Sequence, residues 1–231
     1  MKYLAALLLL LLAGSPLWAD CPYCMFYSGD FDPNNPNADG LANENDAFAF
    51  GNPYGAATYQ NFVVTESAYI PTMFTDNLSS LDPSTGYWEI RSGVSEGNGG
   101  TIVASGTGAM RQTPTGRSAF GYSEYKDEVV VSVSLGPGTY WFAVVPNDPG
   151  NPGRSFNSNT FGLNRVGTEI DNEQFFNSPY YGANFTNANN HGVFPAFSGG
   201  FGYQVPEPSS LFMIGTGMLG LAAAACRRLS K

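Results

Sequence analysis

The chain has 231 residues, a hydrophobic share of 43% and a formal net charge of −9. That length admits one sandwich-sized domain or two small ones. Setting aside Lys2 near the start, and Glu207, Arg227, Arg228 and Lys231 in the tail, leaves the body at −12 with Lys126 as its only lysine, which repels phosphate backbones and anionic lipid surfaces and excludes nucleic acid as a partner.

Met1-Lys2 followed by the Leu/Ala run Tyr3 to Ala13, then Ser15-Pro16-Leu17-Trp18-Ala19, reads as a cleavable secretory signal peptide over residues 1–19. Asp20 stands where a lipoprotein signal needs a small residue before Cys21. Cys21 and Cys24 open the mature body, an even pair in an oxidising compartment, and are expected to form a small structural disulfide. Cys-Pro-Tyr-Cys also occurs at glutaredoxin active sites, but no thioredoxin-like βαβ pattern follows it here.

Residues 30–46 are a polar loop region dense in oxygen-bearing side chains. Hard cations take six to eight oxygens from such loops, so Asp30, Asp32, Asn34 and Asp39 are the candidate ligands for calcium; no other cofactor is implied. An EF-hand is excluded, because Asn35 and Leu41 occupy the positions of its turn glycine and bidentate glutamate. The alternative is a solvated run of Asx turns.

From Ala47 the pattern turns to short strands. Gly86 to Arg91 alternates, with Trp88 and Ile90 on one face and Tyr87, Glu89 and Arg91 on the other, and Thr101 to Ser105 is the returning strand of a hairpin. Val129, Val131, Val133 and Leu135 recur at period two; Gly136-Pro137-Gly138 then turns the chain into Thr139 to Val145, which reads as the clearest hairpin in the sequence. The continuous apolar run Trp141 to Val145 predicts a strand buried on both faces or central in a sandwich. Residues 150–202 read as irregular loops pinned by phenylalanines, among them Phe156, Phe175, Phe197 and Phe201. Without helical periodicity in the body, residues 20–204 are expected to form one all-β, antiparallel β-sandwich. Tyr87 to Gly93 and Pro137 to Trp141 are similar to segments of secreted sandwich domains with jelly-roll or galactose-binding-like folds.

Enzyme signatures are sparse. Gly93-Val94-Ser95-Glu96-Gly97 has the spacing of a nucleophile elbow, but a Gly/Asn turn and a β-rich run follow where a helix is needed, and the single histidine, His191, sits in a polar loop. Glu66, Glu89, Glu124, Glu128 and Glu169 are available as paired carboxylates, yet no spacing selects a pair. Tyr54, Tyr59, Tyr87 and Tyr122 are candidate rings for stacking on sugars, with core packing the alternative for each.

The tail, residues 205–231, has three parts in fixed order: Pro206-Glu207-Pro208-Ser209, an apolar run from Leu211 to Cys226, and the cations Arg227-Arg228. The prolines hold the first part extended. The apolar run is short for a bilayer and weak in strong inserters, so it predicts a marginal transmembrane helix, with the cations as its cytoplasmic stop. An ordinary single-pass anchor behind a proline linker is the alternative. The order resembles the PEP-CTERM sorting signal of Gram-negative bacteria. That resemblance implies an exosortase partner, a membrane transpeptidase-like enzyme that cuts near the motif. It also implies an inner-membrane-anchored intermediate, then delivery to the cell surface or exopolysaccharide. The expected role is structural or carbohydrate-associating, not enzymatic, with a secreted glycan-active hydrolase as the alternative.

Overall fold

In the computed structural model, residues 21, 24–45 and 55–202 are described. The signal peptide, Tyr54, the sorting motif, the apolar run and Arg227-Arg228 lie outside them. Among the described residues the fold is all-β apart from one short 3₁₀ turn, Ala188–His191, and no helix is long and apolar enough to cross a membrane.

The strands are β1 Cys24–Tyr27, β2 Gly40–Ala42, β3 Ala57–Val64, β4 Ala68–Ser79, β5 Thr85–Ser92, β6 Thr101–Ala119, β7 Tyr122–Leu135, β8 Gly138–Asn147, β9 Ser155–Thr160, β10 Phe175–Ser178, β11 Ala183–Asn187, β12 Ala196–Phe197 and β13 Gly199–Gly202. They form one antiparallel sheet in the order β1-β13-β4-β7-β6-β5-β8-β3-β10-β11, with β2 and β12 attached through β9. The sheet curls on itself into a sandwich-like body, and β6 makes the curl. Its first half pairs with β5, from Thr101↔Ser92 to Ala109↔Thr85. Its second half pairs with β7, from Met110↔Val129 to Ala119↔Tyr122.

β7 and β8 do not form the expected hairpin. β7 pairs with β4 and β6, whereas β8 pairs with β3 and β5. The Gly136-Pro137 turn therefore carries the chain from one half of the curled sheet to the other. The alternation on both strands is real, but it sets Val129 and Leu135 facing Phe142 and Val144 across the core instead of side by side. A period-two pattern shows which face is apolar and leaves the neighbour unspecified.

The core between the halves is aromatic at its centre. Phe26, Phe62, Phe142 and Phe201 approach one another with ring centroids 4.7–6.2 Å apart, contacts worth about 0.5–1.5 kcal/mol each beyond area burial. β8 is buried on both faces. Phe142 and Val144 enter this core, while Trp141, Ala143 and Val145 join Tyr59, Val94, Phe175 and Phe185 in a second cluster under β10 and β11.

Above the aromatic centre the interior turns polar. Asn43 Nδ2 donates to the Asn77 side-chain oxygen (3.0 Å) and to the Val144 carbonyl (2.9 Å). Asn77 Nδ2 donates to Asp127 (2.8 Å), and so does Gln112 Nε2 (2.9 Å). β9, sequence Ser-Phe-Asn-Ser-Asn-Thr, is buried but polar, and Asn157 Nδ2 bonds the carbonyls of Asp76 (2.8 Å) and Ser198 (2.7 Å). Pro71 sits at a register shift between β4 and β7, where its missing N–H breaks no ladder bond, and Ser132 opposite takes a left-handed φ of 60°.

β1 pairs with β13, Cys24 opposite Gly202. Cys21 and Cys24 are disulfide-linked, with Cα atoms 5.2 Å apart. Met25, Phe26 and Phe201 line a hollow there with Val63 and Val64 at the end of β3.

Candidate ligand-binding cleft

The face of β5 turned away from the core carries Tyr87, Glu89 and Arg91, as the alternation in the sequence requires. β3 adds Ala57 and Tyr59, β8 adds Val145 and Asn147, and β6 adds Thr107. Asn45, Asn177 and Pro179 complete a cleft of about 470 Å³.

Glu89 lies at its floor, 2% exposed, and its carboxylate accepts four hydrogen bonds. Oε1 takes the Tyr59 hydroxyl at 2.5 Å and Arg91 Nε at 2.6 Å; Oε2 takes the Tyr87 hydroxyl at 2.8 Å and Arg91 Nη2 at 3.1 Å. The planar guanidinium meets the planar carboxylate as a fork, the strongest geometry for such a pair. Arg91 is held in turn by the Gly99 carbonyl at 2.9 Å and lies over the Phe185 ring, 4.9 Å from its centroid.

Burial, reinforced by Glu89, raises the Tyr59 hydroxyl well above its ordinary range. Burial and the hydrogen bond to Glu89 push Tyr87 up to about 12. Both phenols therefore remain protonated donors at neutral pH. Tyr59 is 3% exposed and serves as floor, whereas Tyr87 is half-buried and presents part of its ring to the cleft. Three amide side chains and one hydroxyl, Asn45, Asn147, Asn177 and Thr107, stand around it. Glu89 is the one acid among the cleft-lining residues described.

Of the other candidate rings, Tyr122 lines a separate hollow of about 170 Å³ with Asp39, Phe120 and Phe156. The candidate calcium ligands are not brought together. Asp30 is buried, accepting from Tyr27 (2.7 Å) and Asn164 (2.5 Å), with Arg117 3.5 Å away. Asp32 caps its own turn through the Asn34 N–H (2.9 Å), and Asp39 accepts from the Gly40 N–H (2.7 Å). Among the described residues no group of three or more His, Cys, Asp or Glu side chains is placed to hold a metal ion.

Ser95 lies in the β5–β6 connection, in a tight turn closed by mutual backbone bonds with Asn98 (both 2.9 Å), and no helix follows it. His191 packs edge-on against the Phe176 ring, 5.3 Å away. Three more of the candidate acids are tied to arginines: Glu124 to Arg117 (2.5 Å), Glu128 to Arg111 (2.9 Å) and Glu169 to Arg165 (2.6 Å).

Sequence reading placed Tyr87, Glu89 and Arg91 on one face but did not name that face as a site. Tyr-x-Glu-x-Arg on the outward face of a strand was the available signal, since a Glu and an Arg at i and i+2 stand side by side there. Asn45, Asn147 and Asn177 come from separate parts of the chain, and only the fold assembles them.

The chain carries a PEP-CTERM protein-sorting motif: the family model of that description matches residues 204–228. The motif implies export, a membrane-anchored intermediate processed by an exosortase, and sorting to the cell surface. No curated protein and no solved structure matches the chain, so the body's role rests on its own geometry.

Proposed function

We propose that this is an exported protein that an exosortase sorts into the cell-surface or exopolysaccharide layer, where its body binds a neutral glycan in the Tyr87 cleft. The signal peptide over residues 1–19 starts export, the apolar run holds the chain briefly in the inner membrane, and cleavage near Pro206–Ser209 releases it. The observation that carries the binding reading is the cleft itself: a partly open tyrosine ring beside three asparagine amides, over a charge-paired floor. Sugar rings offer apolar C–H faces to an aromatic ring and hydroxyls to amides, so a concave site with a few convergent polar groups suits them.

Binding is favoured over hydrolysis by the state of Glu89. Glycoside hydrolysis needs two carboxyl groups flanking the bond, one of them able to give up a proton. Glu89 has no acidic partner among the described cleft residues, and both its oxygens are committed to Arg91 and the two phenols. The sandwich-like, antiparallel architecture supports the all-β part of the sequence reading.

A glycan array with the secreted protein tests the binding reading. Wild type is expected to retain one class of neutral glycan and Tyr87→Ala to lose it; equal retention by both removes the cleft from the account. Deleting residues 206–231 is expected to move the protein from the surface fraction to the periplasm. An unchanged surface yield refutes sorting by the tail.

A further inference from the structure

Beyond Pro179 at the cleft a row of aromatic side chains can be followed from contact to contact. Pro179 lines the cleft, and Tyr180 and Tyr181 follow it, 53% and 45% exposed with rings 4.9 Å apart. Arg154 Nη2 donates to the Tyr181 hydroxyl at 3.1 Å, and its guanidinium lies over the Phe156 ring, 4.8 Å from the centroid. Phe156 meets Tyr122 at 5.5 Å, and beside Tyr122 stands Phe120, 65% exposed at the tip of the β6–β7 hairpin.

The row is held in place, which separates it from a scatter of surface rings. Arg154 is fixed by fully buried Glu44, Nε to Oε1 at 2.9 Å, and the next residue, Asn45, lines the cleft. Phe120 and Gly121 both adopt left-handed backbone, φ 55° and 84°, so the hairpin turns tightly and offers the Phe120 ring to solvent. A bulky aromatic at positive φ is backbone strain without a packing return at a side chain this exposed. Along the chain the row is therefore fixed to the cleft at two places, beneath the surface through Glu44-Asn45 and at the surface from Pro179 to Tyr181.

We propose, resting on the glycan reading of the cleft, that the ligand is an extended neutral polysaccharide. Its chain lies in the Tyr87 cleft and continues over Tyr181 and Phe156 to Tyr122 and Phe120. Rigid rings separated by polar groups match a polymer that presents an apolar face and hydroxyls in repetition. They match a compact monosaccharide poorly, because it fills the cleft and leaves the row bare. The body's charge of −12 excludes an acidic polymer as the occupant.

Titration calorimetry on the secreted protein tests this, using neutral gluco- and manno-oligosaccharides from disaccharide to octasaccharide. Alginate and a proline-rich peptide serve as comparison ligands. Affinity is expected to rise with length by roughly tenfold or more, since each added contact engages at high effective concentration. The Tyr122→Ala/Phe156→Ala variant is expected to lose that rise and keep the disaccharide affinity, whereas Tyr87→Ala loses binding at every length. Phe120→Ser, at an exposed tip where folding is undisturbed, is expected to weaken only the longest ligands. Full affinity at the disaccharide, or an undiminished rise in the row variants, overturns the extended site and leaves the cleft reading standing. Preference for alginate or the peptide overturns the neutral-polymer assignment. Absence of any saccharide binding by wild type overturns the cleft reading and this inference with it.

Discussion

Replacing Asp127 with asparagine probes the polar layer inside the sandwich. Burial pushes the Asp127 carboxyl from its usual 3.8 up to about 7, and the bonds from Gln112 and Asn77 pull it back only in part. In the unfolded chain the same group ionises near 4. The folded state thus holds a proton that the unfolded state has released between about pH 4 and pH 7, so stability falls as pH rises through that window and levels off above it. From pH 5 to 7 the loss is about 2 kcal/mol, at 1.36 kcal/mol per unit with the group half-titrated at pH 7, or about 4–8 °C in Tm for a domain of this size. Asparagine keeps the shape and does not titrate, at the cost of one acceptor, about 1 kcal/mol. The variant should therefore match wild type near pH 5 and exceed it by about 3 kcal/mol at pH 8. Glu169, lifted to about 7 by burial against the pull of Arg165, adds slope of the same sign, so the variant's curve flattens without becoming level. Urea and thermal melts from pH 5 to 8 measure this. A wild-type Tm that holds or climbs with pH, or a variant that keeps the full wild-type slope, refutes the reasoning.

Arg91→Ala leaves Glu89 charged and uncompensated in a site that is 2% exposed, so urea denaturation should show a loss of about 3–5 kcal/mol; a loss under 1 kcal/mol would mean the pair is well solvated. The Cys21–Cys24 link closes a ring of only a few residues, and the double serine variant should lose no more than about 2 kcal/mol, read from the denaturation midpoint. Because Asp30 is already engaged by Tyr27, Asn164 and Arg117, EDTA should leave the melting temperature unchanged; a drop of several degrees would instead support calcium at residues 30–46.

Which parts of this fold were legible follows from which faces are apolar. β5 was readable because Trp88 and Ile90 enter the core while Tyr87, Glu89 and Arg91 face out. β8 was readable because five successive apolar residues serve two cores. β9 was hidden: its Asn and Ser side chains are buried by hydrogen bonding, so composition marked it as loop. The second half of β6 was hidden for the opposite reason, since it is largely solvent-facing and shows no apolar rhythm. The β7–β8 turn misled because Gly-Pro-Gly marks a reversal without saying whether the chain returns beside itself or across the core. In the cleft, Tyr59 and Tyr87 were singled out by residue type, but their convergence on Glu89 depends on β3 and β5 both flanking β8.

The pairing of β1 with β13 brings the first and last described strands of the body together. Cys24 and Gly202 lie side by side, and their chain neighbours Met25 and Phe201 line a hollow with Val64 at the far end of β3, whereas Ala57 at the near end of the same strand lines the cleft. Seven residue steps of about 3.3 Å put about 23 Å between that hollow and the cleft. β13 is gripped on both sides, by β1 and by β4, so the last described strand is an interior strand of the sheet. The strand that leads towards the tail thus lies at one end of β3 and the cleft at the other, so what happens to the chain beyond Gly202 need not reach Tyr87 or Glu89.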